Sequence, residues 1–221
     1  MDIFEAVEKR HSVRQYLDKP IEAEKVAALQ AEIEKCNEES GLHIQLVTNE
    51  PQSFTGIMAH YGSFTNVSNY ICLVGKKGDD LNEKLGYYGE KIVLLAQMLS
   101  LNTCWVAMTY NKRKCKAVVN KGEMNVLVIS LGLGATQGHE RKTKSFSDVA
   151  SVSGDCPEWF RKGVECALKA PTATNQQSFN FSLENGKVNA KATGGFYSDV
   201  DLGIVKYHFE LGAGKENFDW A

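Results

Sequence analysis

An α+β protein is predicted from three features of the 221-residue sequence. Segments with helical periodicity are interleaved with short apolar or alternating segments of period two. Their order has no strand–helix–strand beat, which argues for mostly antiparallel strands rather than a doubly wound parallel sheet. A weak internal repeat links the early and late parts of the chain.

The elements follow in order. Residues 2–10 read as a helix, with Asp2 and Glu5 as a capping box and Ile3, Phe4 and Val7 as its apolar face. After Pro20, residues 21–36 carry Val26, Leu29 and Ile33 at helical spacing. "HIQLVT" (43–48) alternates as a strand, 49–68 is loop-rich, and "NYICLVG" (69–75) is a buried strand. "LGYYGEKIVLLAQMLSL" (85–101) is apolar nearly all round, the mark of a central, buried helix. "CWVAM" follows, then "KRKCKAVV" (112–119) as a short basic helix and "MNVLVISLGLGA" (124–135) as a strand ending in glycines. "GHERKTKSFSDVA" (138–150) is charged and solvated; "CPEWFRKGVECALK" (156–169) is helical, with Phe160, Val164, Ala167 and Leu168 on one face. "FNFSLENGKVNAKATGG" (179–195) reads as a hairpin turning at Asn185-Gly186. "DVDLGIVKYHFELG" (199–212) is an amphipathic helix through Leu202, Val205 and Phe209.

The repeat pairs 20–47 with 157–183: each has a Pro, an amphipathic helix, a polar junction and a strand. It also pairs 87–105 with 200–220, each an apolar helix followed by a Trp. At the first junction stands "CNEESG"; at the second, "KAPTATNQQSF" (169–179).

Composition narrows the class. Hydrophobic content of 43% and charged content of 24% are ordinary for a soluble globular chain. A net charge of −2 points to neither nucleic acid nor an anionic membrane. The six cysteines form no CxxC pair, and no Cys/His spacing suits a metal. They read as reduced thiols of a cytosolic protein. No signal-peptide core follows Met1, and no apolar run approaches a bilayer span.

Taken alone, Arg10-His11-Ser12-Val13-Arg14 is a solvated basic helix end. If the helix continues, Arg10 and Arg14 share a face and Ser12 points away. If it stops near Arg10, the amides, the hydroxyl and both guanidiniums can converge on one anion, which the forked guanidinium suits. "ERKTK" (140–144) offers further cations and alone reads as a solvated loop. "VISLGLGATQG" (128–138) fails as a dinucleotide fingerprint, because Gln137 stands where the third Gly belongs and no apolar helix follows. "NTCWVAM" (102–108) is a buried helix-to-strand turn, with no local signature for Cys104 as a nucleophile. His43, His60, His139 and His208 are spaced as surface or core singles, and Met58, Met98 and Met108 as core filler. The stretch 169–179 is a helix stop, with Thr172, Thr174, Asn175 and Gln177 as small donors and acceptors that could line a flat polar ring edge.

Four segments together resemble the FMN-dependent nitroreductase family. "RHSVR" resembles its opening signature, and "GYYGEKIVLLAQMLSLNTCWVAM" (86–108) its central helix and following turn. "VLVISLGLG" with "HERKTK" resembles its last core strand and basic tail. "KAPTATNQQSF" is similar to its Ala-Pro-Ser-x-x-Asn-x-Gln-Pro-Trp stretch, with Ser178-Phe179 where the family has Pro-Trp. In that family two chains pair to build the flavin sites. The late position of the Ala-Pro stretch and the repeat resemble its fused, pseudo-dimeric branch.

The resemblance implies a central mixed or antiparallel sheet flanked by helices, with residues 1–150 as a core half and 151–221 as a truncated second repeat packed on it in one compact unit. It implies FMN as cofactor, NAD(P)H as reductant and a small nitroaromatic- or quinone-like acceptor. It assigns Arg10, His11 and Ser12 to the flavin phosphate and ribityl chain and Arg14 to the N1/O2 edge. Arg141 and Lys142 would neutralise the phosphate. Thr103, Cys104, Trp105 and Val106 would lie near N5 through backbone amides. Pro171, Thr172, Thr174, Asn175 and Gln177 would border the ring. Hydride transfer needs no acid/base dyad and no metal, so flavin N5 carries the chemistry and Arg14 tunes it. The expected state is a cytoplasmic monomer, with one complete site per chain and no membrane or nucleic-acid partner. Two rival readings are a flavin-binding module without efficient turnover and a structural protein with a vestigial site.

Overall fold

The computed structural model describes residues 1–184 and 186–221. It divides into two compact units. Met1–Leu81 and Ile92–Glu140 form unit 1; Asn82–Lys91 and Arg141–Ala221 form unit 2.

Unit 1 begins with α1 (Ile3–Lys9), which opens on the expected capping box. Glu5 N donates to Asp2 Oδ1 at 2.9 Å, and Asp2 N to Glu5 Oε2 at 3.2 Å. The helix stops because Arg10 is already extended, at φ −69° and ψ 121°. Next come α2 (Ala23–Ser40), β1 (Gln45–Val47), a short 3-10 turn (Gln52–Phe54) and α3 (Ile57–Tyr61). The unit is completed by β2 (Asn69–Lys76), the second half of α4 (Leu81–Met98), β3 (Asn102–Val106) and β4 (Glu123–Gly132). The sheet order is β1-β2-β4-β3, and every pair is antiparallel. Tyr70, Cys72 and Val74 of β2 are buried with Val128 of β4 and with Phe54, Phe64 and Tyr110 from the loops.

Unit 2 holds residues 82–91 of α4, then α5 (Phe146–Val149), β5 (Ala150–Val152), α6 (Glu158–Ala167) and a 3-10 turn (Ala173–Asn175). It ends with β6 (Phe179–Glu184), β7 (Lys187–Ala192), α7 (Ser198–Ala213), a last 3-10 turn (Lys215–Asn217) and β8 (Asp219–Trp220). Its sheet order is β5-β6-β7-β8. Phe209 is its centre: it stacks on Phe181 at 4.6 Å and meets Phe160 and Phe218 edge-on. Helix α7 approaches the first half of α4 so closely that a Cβ on Gly86 would run into Val200 O, and one on Gly203 into Glu83 O.

The α+β class holds, with two four-stranded sheets rather than one. The structure corrects several local expectations. Strand–helix–strand crossovers do occur: β5 is parallel to β6 across α6, and β7 is parallel to β8 across α7. Strands of three and two residues are too short to show a period. The basic segment 112–119 is a turn followed by extended chain, not a helix. Its amides are used elsewhere: Lys116 N donates to Tyr70 Oη at 3.1 Å and Val118 N to Gln45 Oε1 at 2.8 Å. Met58 and Met108 are not core filler; they are 47% and 66% exposed. Helix α7 is buried nearly all round rather than amphipathic, because its polar residues have partners. His208 Nε2 lies 2.9 Å from Glu90 Oε1, and Glu210 accepts from Tyr87 Oη at 2.6 Å and Trp220 Nε1 at 2.9 Å. Strands β6 and β7 do form the expected antiparallel hairpin, paired out to Glu184 and Lys187. Of its expected turn, Gly186 has φ +77° and Asn185 lies outside the described residues.

Candidate functional site

Because α1 ends at Lys9, the next residues are free to run along the outer edge of β3. Ser12 bridges Thr103 in parallel, and Val13 N donates to Thr103 O at 3.0 Å. Tyr16 locks the far end: its hydroxyl donates to Val13 O at 2.6 Å and meets Ser130 Oγ at 2.8 Å. A Cβ on Gly132 would strike the Tyr16 ring, so glycine is needed there for the ring to lie flat on β4.

This path gathers the basic residues around one buried sulfur. Arg10 is 6% exposed, Arg14 is exposed, and Cys104 is buried in β3. Burial pushes the Cys104 thiol up, opposed by the charge of Arg14, a hydrogen bond from Ser12 and the charge of Arg10. Burial likewise raises Tyr16, and Arg14 again acts in the opposite sense. Ser12 thus sits on the Thr103 edge, with Arg10 and Arg14 close enough for their charges to act on Cys104. Two guanidiniums and a hydroxyl form a donor set suited to a phosphate or another anionic oxygen. His11 is half-buried, its Nδ1 3.1 Å from Lys9 O. Trp105 is half-buried and Val106 buried on the same strand.

The other predicted residues lie in unit 2 and form their own network. Arg141 donates from Nη1 to Asn175 Oδ1 at 3.1 Å and from Nη2 to Leu168 O at 2.9 Å, at the end of α6. Lys142 contributes its carbonyl, which accepts from Asn175 Nδ2 at 2.9 Å and Gln177 Nε2 at 3.0 Å; its side chain is exposed. The Thr172 hydroxyl accepts from Gln177 N at 3.0 Å, and Pro171 is buried. The segment 138–150 is thus tied down in part, rather than fully solvated, because Arg141 and Lys144 bond across to 168–177.

Thr174, Asn175 and Gln177 all have left-handed backbones, with φ of 49°, 57° and 46°. Such conformations are strained for non-glycine residues, most of all for a β-branched one, and they persist only where the surroundings over-determine them. Residues the sequence reasoning missed supply part of that restraint. Asp201, buried in the first turn of α7, accepts from Ala173 N at 2.9 and 3.1 Å and from Gln176 Nε2 at 2.7 Å. Burial raises its carboxyl to about 6, opposed by those hydrogen bonds. Its only sequence signal was an acidic first turn ahead of an apolar helix.

A separate cleft of about 520 Å³ in unit 1 is lined by Glu8, Lys9, His11, Gln97, Asn102 and Gly138, among others. It shares only His11 with the predicted set, and neither Arg10 nor Arg14 lines it. The cations at the β3 edge are the stronger chemical feature. Among the described residues, no helix is long and apolar enough to cross a membrane, and no group of three His, Cys, Asp or Glu could hold a metal ion.

Comparison with known proteins agrees with this architecture. A family model described as "Putative TM nitroreductase" matches residues 2–213. A crystal structure titled as a putative nitroreductase from Thermotoga maritima MSB8 superposes with a TM-score of 0.70 at 23% identity, covering 98% of this chain and 85% of that one. A putative nitroreductase in complex with FMN from Desulfovibrio desulfuricans gives 0.52 at 17% identity, covering 67% of this chain and 94% of that one. A putative NADH dehydrogenase/NAD(P)H nitroreductase from Bacteroides thetaiotaomicron VPI-5482 gives 0.52 at 19%, covering 66% and 95%. No curated protein matches.

Proposed function

The chain belongs to that nitroreductase family, and on this premise we propose that it is an FMN-containing oxidoreductase that passes hydride from NAD(P)H to a small nitroaromatic- or quinone-like acceptor. FMN, when bound, supplies the hydride-accepting and hydride-donating centre at N5. The observation that supports the reading is Ser12 bridged to Thr103 on the β3 edge, with Arg10 and Arg14 acting by charge on the Cys104 beside it. In it, Arg10, His11 and Ser12 bind the phosphate and ribityl chain. Arg14 stabilises negative charge at the N1/O2 edge by Coulomb attraction. Backbone amides of Thr103 to Val106 would lie near N5.

On the resemblance alone, Pro171, Thr172, Thr174, Asn175 and Gln177 would border the ring. Arg141 and Lys142 add positive charge for the phosphate. The repeated helix–strand order supports the companion reading of a chain that acts as a monomer, and its free cysteines support a cytoplasmic one.

An absorbance titration with FMN tests the assignment. Arg10→Ala should weaken FMN binding by about tenfold or more, the loss of one charge-assisted contact. Arg14→Ala should keep FMN and lower its reduction potential. Equal FMN affinity for Arg10→Ala and the native chain would overturn the assignment. Bleaching of the bound flavin by anaerobic NAD(P)H tests turnover.

A further inference from the structure

Cys72 is fully buried in β2. Cys115 is half-buried on the segment between β3 and β4, and its Sγ lies 3.7 Å from that of Cys72. A disulfide needs the two sulfurs at about 2.0 Å, a short closure from this separation. The segment is fixed on both sides of Cys115. Asn111 N donates to Ser53 O at 2.7 Å, Lys116 N to Tyr70 Oη at 3.1 Å and Val118 N to Gln45 Oε1 at 2.8 Å. Asn125 Nδ2 donates to Cys115 Sγ at 3.7 Å.

The two thiols differ. Cys115 is lowered, first by its hydrogen bond with Cys72, with burial opposing and Ala117 N and Tyr70 assisting. Cys72 is pushed up, first by that same hydrogen bond and then by burial. Glu50 raises both. Cys115 is thus the more acidic thiol of the pair and the less buried residue, and Cys72 lies within reach of it as the resolving thiol. Cys104, by contrast, is buried and raised.

We propose that Cys72 and Cys115 form a hydroperoxide-reactive dithiol that closes to a disulfide. The Cys115 thiolate attacks one oxygen of the hydroperoxide. The O–O bond breaks, the other oxygen leaves and takes a proton as alcohol or water, and Cys115 becomes a sulfenic acid. Cys72 then gives up its proton and attacks the Cys115 sulfur. An S–S bond forms and the sulfenic hydroxyl leaves as water. Two thiols lose two electrons, and the peroxide is reduced by two. A small-molecule thiol reverses the bond by exchange, as suits a reducing compartment. The site is independent of the flavin reading.

The test uses the full chain, reduced, then exposed to hydrogen peroxide near pH 7 and digested without reductant. The expected result is a linked peptide pair carrying residues 72 and 115, with two of the six thiols lost. Cys72→Ser should trap sulfenic acid on Cys115, captured by dimedone. Cys115→Ser should slow oxidation at Cys72 by about tenfold, as expected when the low-pKa thiolate is removed. Peroxide uptake first at Cys156 or Cys166, the absence of a 72–115 link in the native chain, or native-rate oxidation of Cys72 in Cys115→Ser would each overturn the proposal. The peptide map of the native chain decides the matter even if a variant fails to fold.

Discussion

Two helix-to-strand junctions occupy matching places in the internal repeat and are built by opposite means. After α2, Gly41 takes the left-handed position at φ +70°, where a glycine is unstrained, and its N–H donates to Asn37 O at 2.8 Å. Asn37 closes the turn, donating to Ile44 O at 2.9 Å and accepting from Ile44 N at 2.8 Å. After α6, three non-glycine residues hold left-handed backbones, restrained by side chains from two separate segments, Arg141 and Lys144 from one and Asp201 from the other. The first junction is the lowest-energy way to end a helix. The second stores strain and spends polar groups to keep it, and that pattern marks function more than stability. It also falls on the stretch that resembles a flavin-binding segment.

The comparison can be broken at several points. Gln177 is buried, accepts from Lys144 N and donates to Lys142 O and Asn175 Oδ1. Gln177→Ala should lower stability by about 3 kcal/mol, whereas Asn37→Ala, with two bonds at a part-exposed turn, should lose about half as much. Urea midpoints of the two variants measure the ratio, and equal losses would erase the contrast.

The next effect is a pH dependence. The folded pKa of Asp201 is about 6 against an ordinary value of 3.8. The folded state therefore holds the proton more tightly than the unfolded state. This contribution is greatest below about pH 3.8, declines as pH rises to about 6 and is flat above, at up to about 1.4 kcal/mol per pH unit. Asp201→Asn keeps an acceptor oxygen and should remove that slope. A variant with the native slope would assign the titration to another group.

The smallest effects should have opposite signs. Thr174→Gly relieves a left-handed β-branched residue and should stabilise by about 1 kcal/mol, while Gly41→Ala should destabilise by a similar amount. Thermal midpoints will register both. If Thr174→Gly also weakens FMN binding, the strain serves the site.

Much of this was legible from residue order. The capping box of α1, the buried strands β2 and β4, the apolar helix α4 and the hairpin of β6 and β7 follow from period and cap chemistry. That Ser12 reaches the β3 edge follows from α1 stopping at Lys9, one of two outcomes the sequence left open. Tertiary contacts hid the rest. Residues 112–119 carry helix-forming side chains, but their amides go to Tyr70 and Gln45. The roles of Asp201 and Lys144 depend on partners more than twenty positions away, beyond any local window. Strands β5 and β8 exist because a neighbouring strand templates them, not because of an intrinsic pattern.

Helix α4 has a consequence for the order of events at the ribosome. Its residues 92–98 join unit 1, which is complete once Glu140 has emerged. Its residues 82–91 join unit 2, and their partners come far later: Tyr87 and Glu90 bond to Glu210 and His208, 123 and 118 positions on. Domains fold largely as units during vectorial synthesis. One half of a single helix can thus be committed while the other half still waits, with Gly86 and Glu90 uncovered until α7 is made. That decamer stays open to a protease or a chaperone until α7 has been made. Chains stalled at increasing lengths should lose cleavage there only after α7 has cleared the exit tunnel.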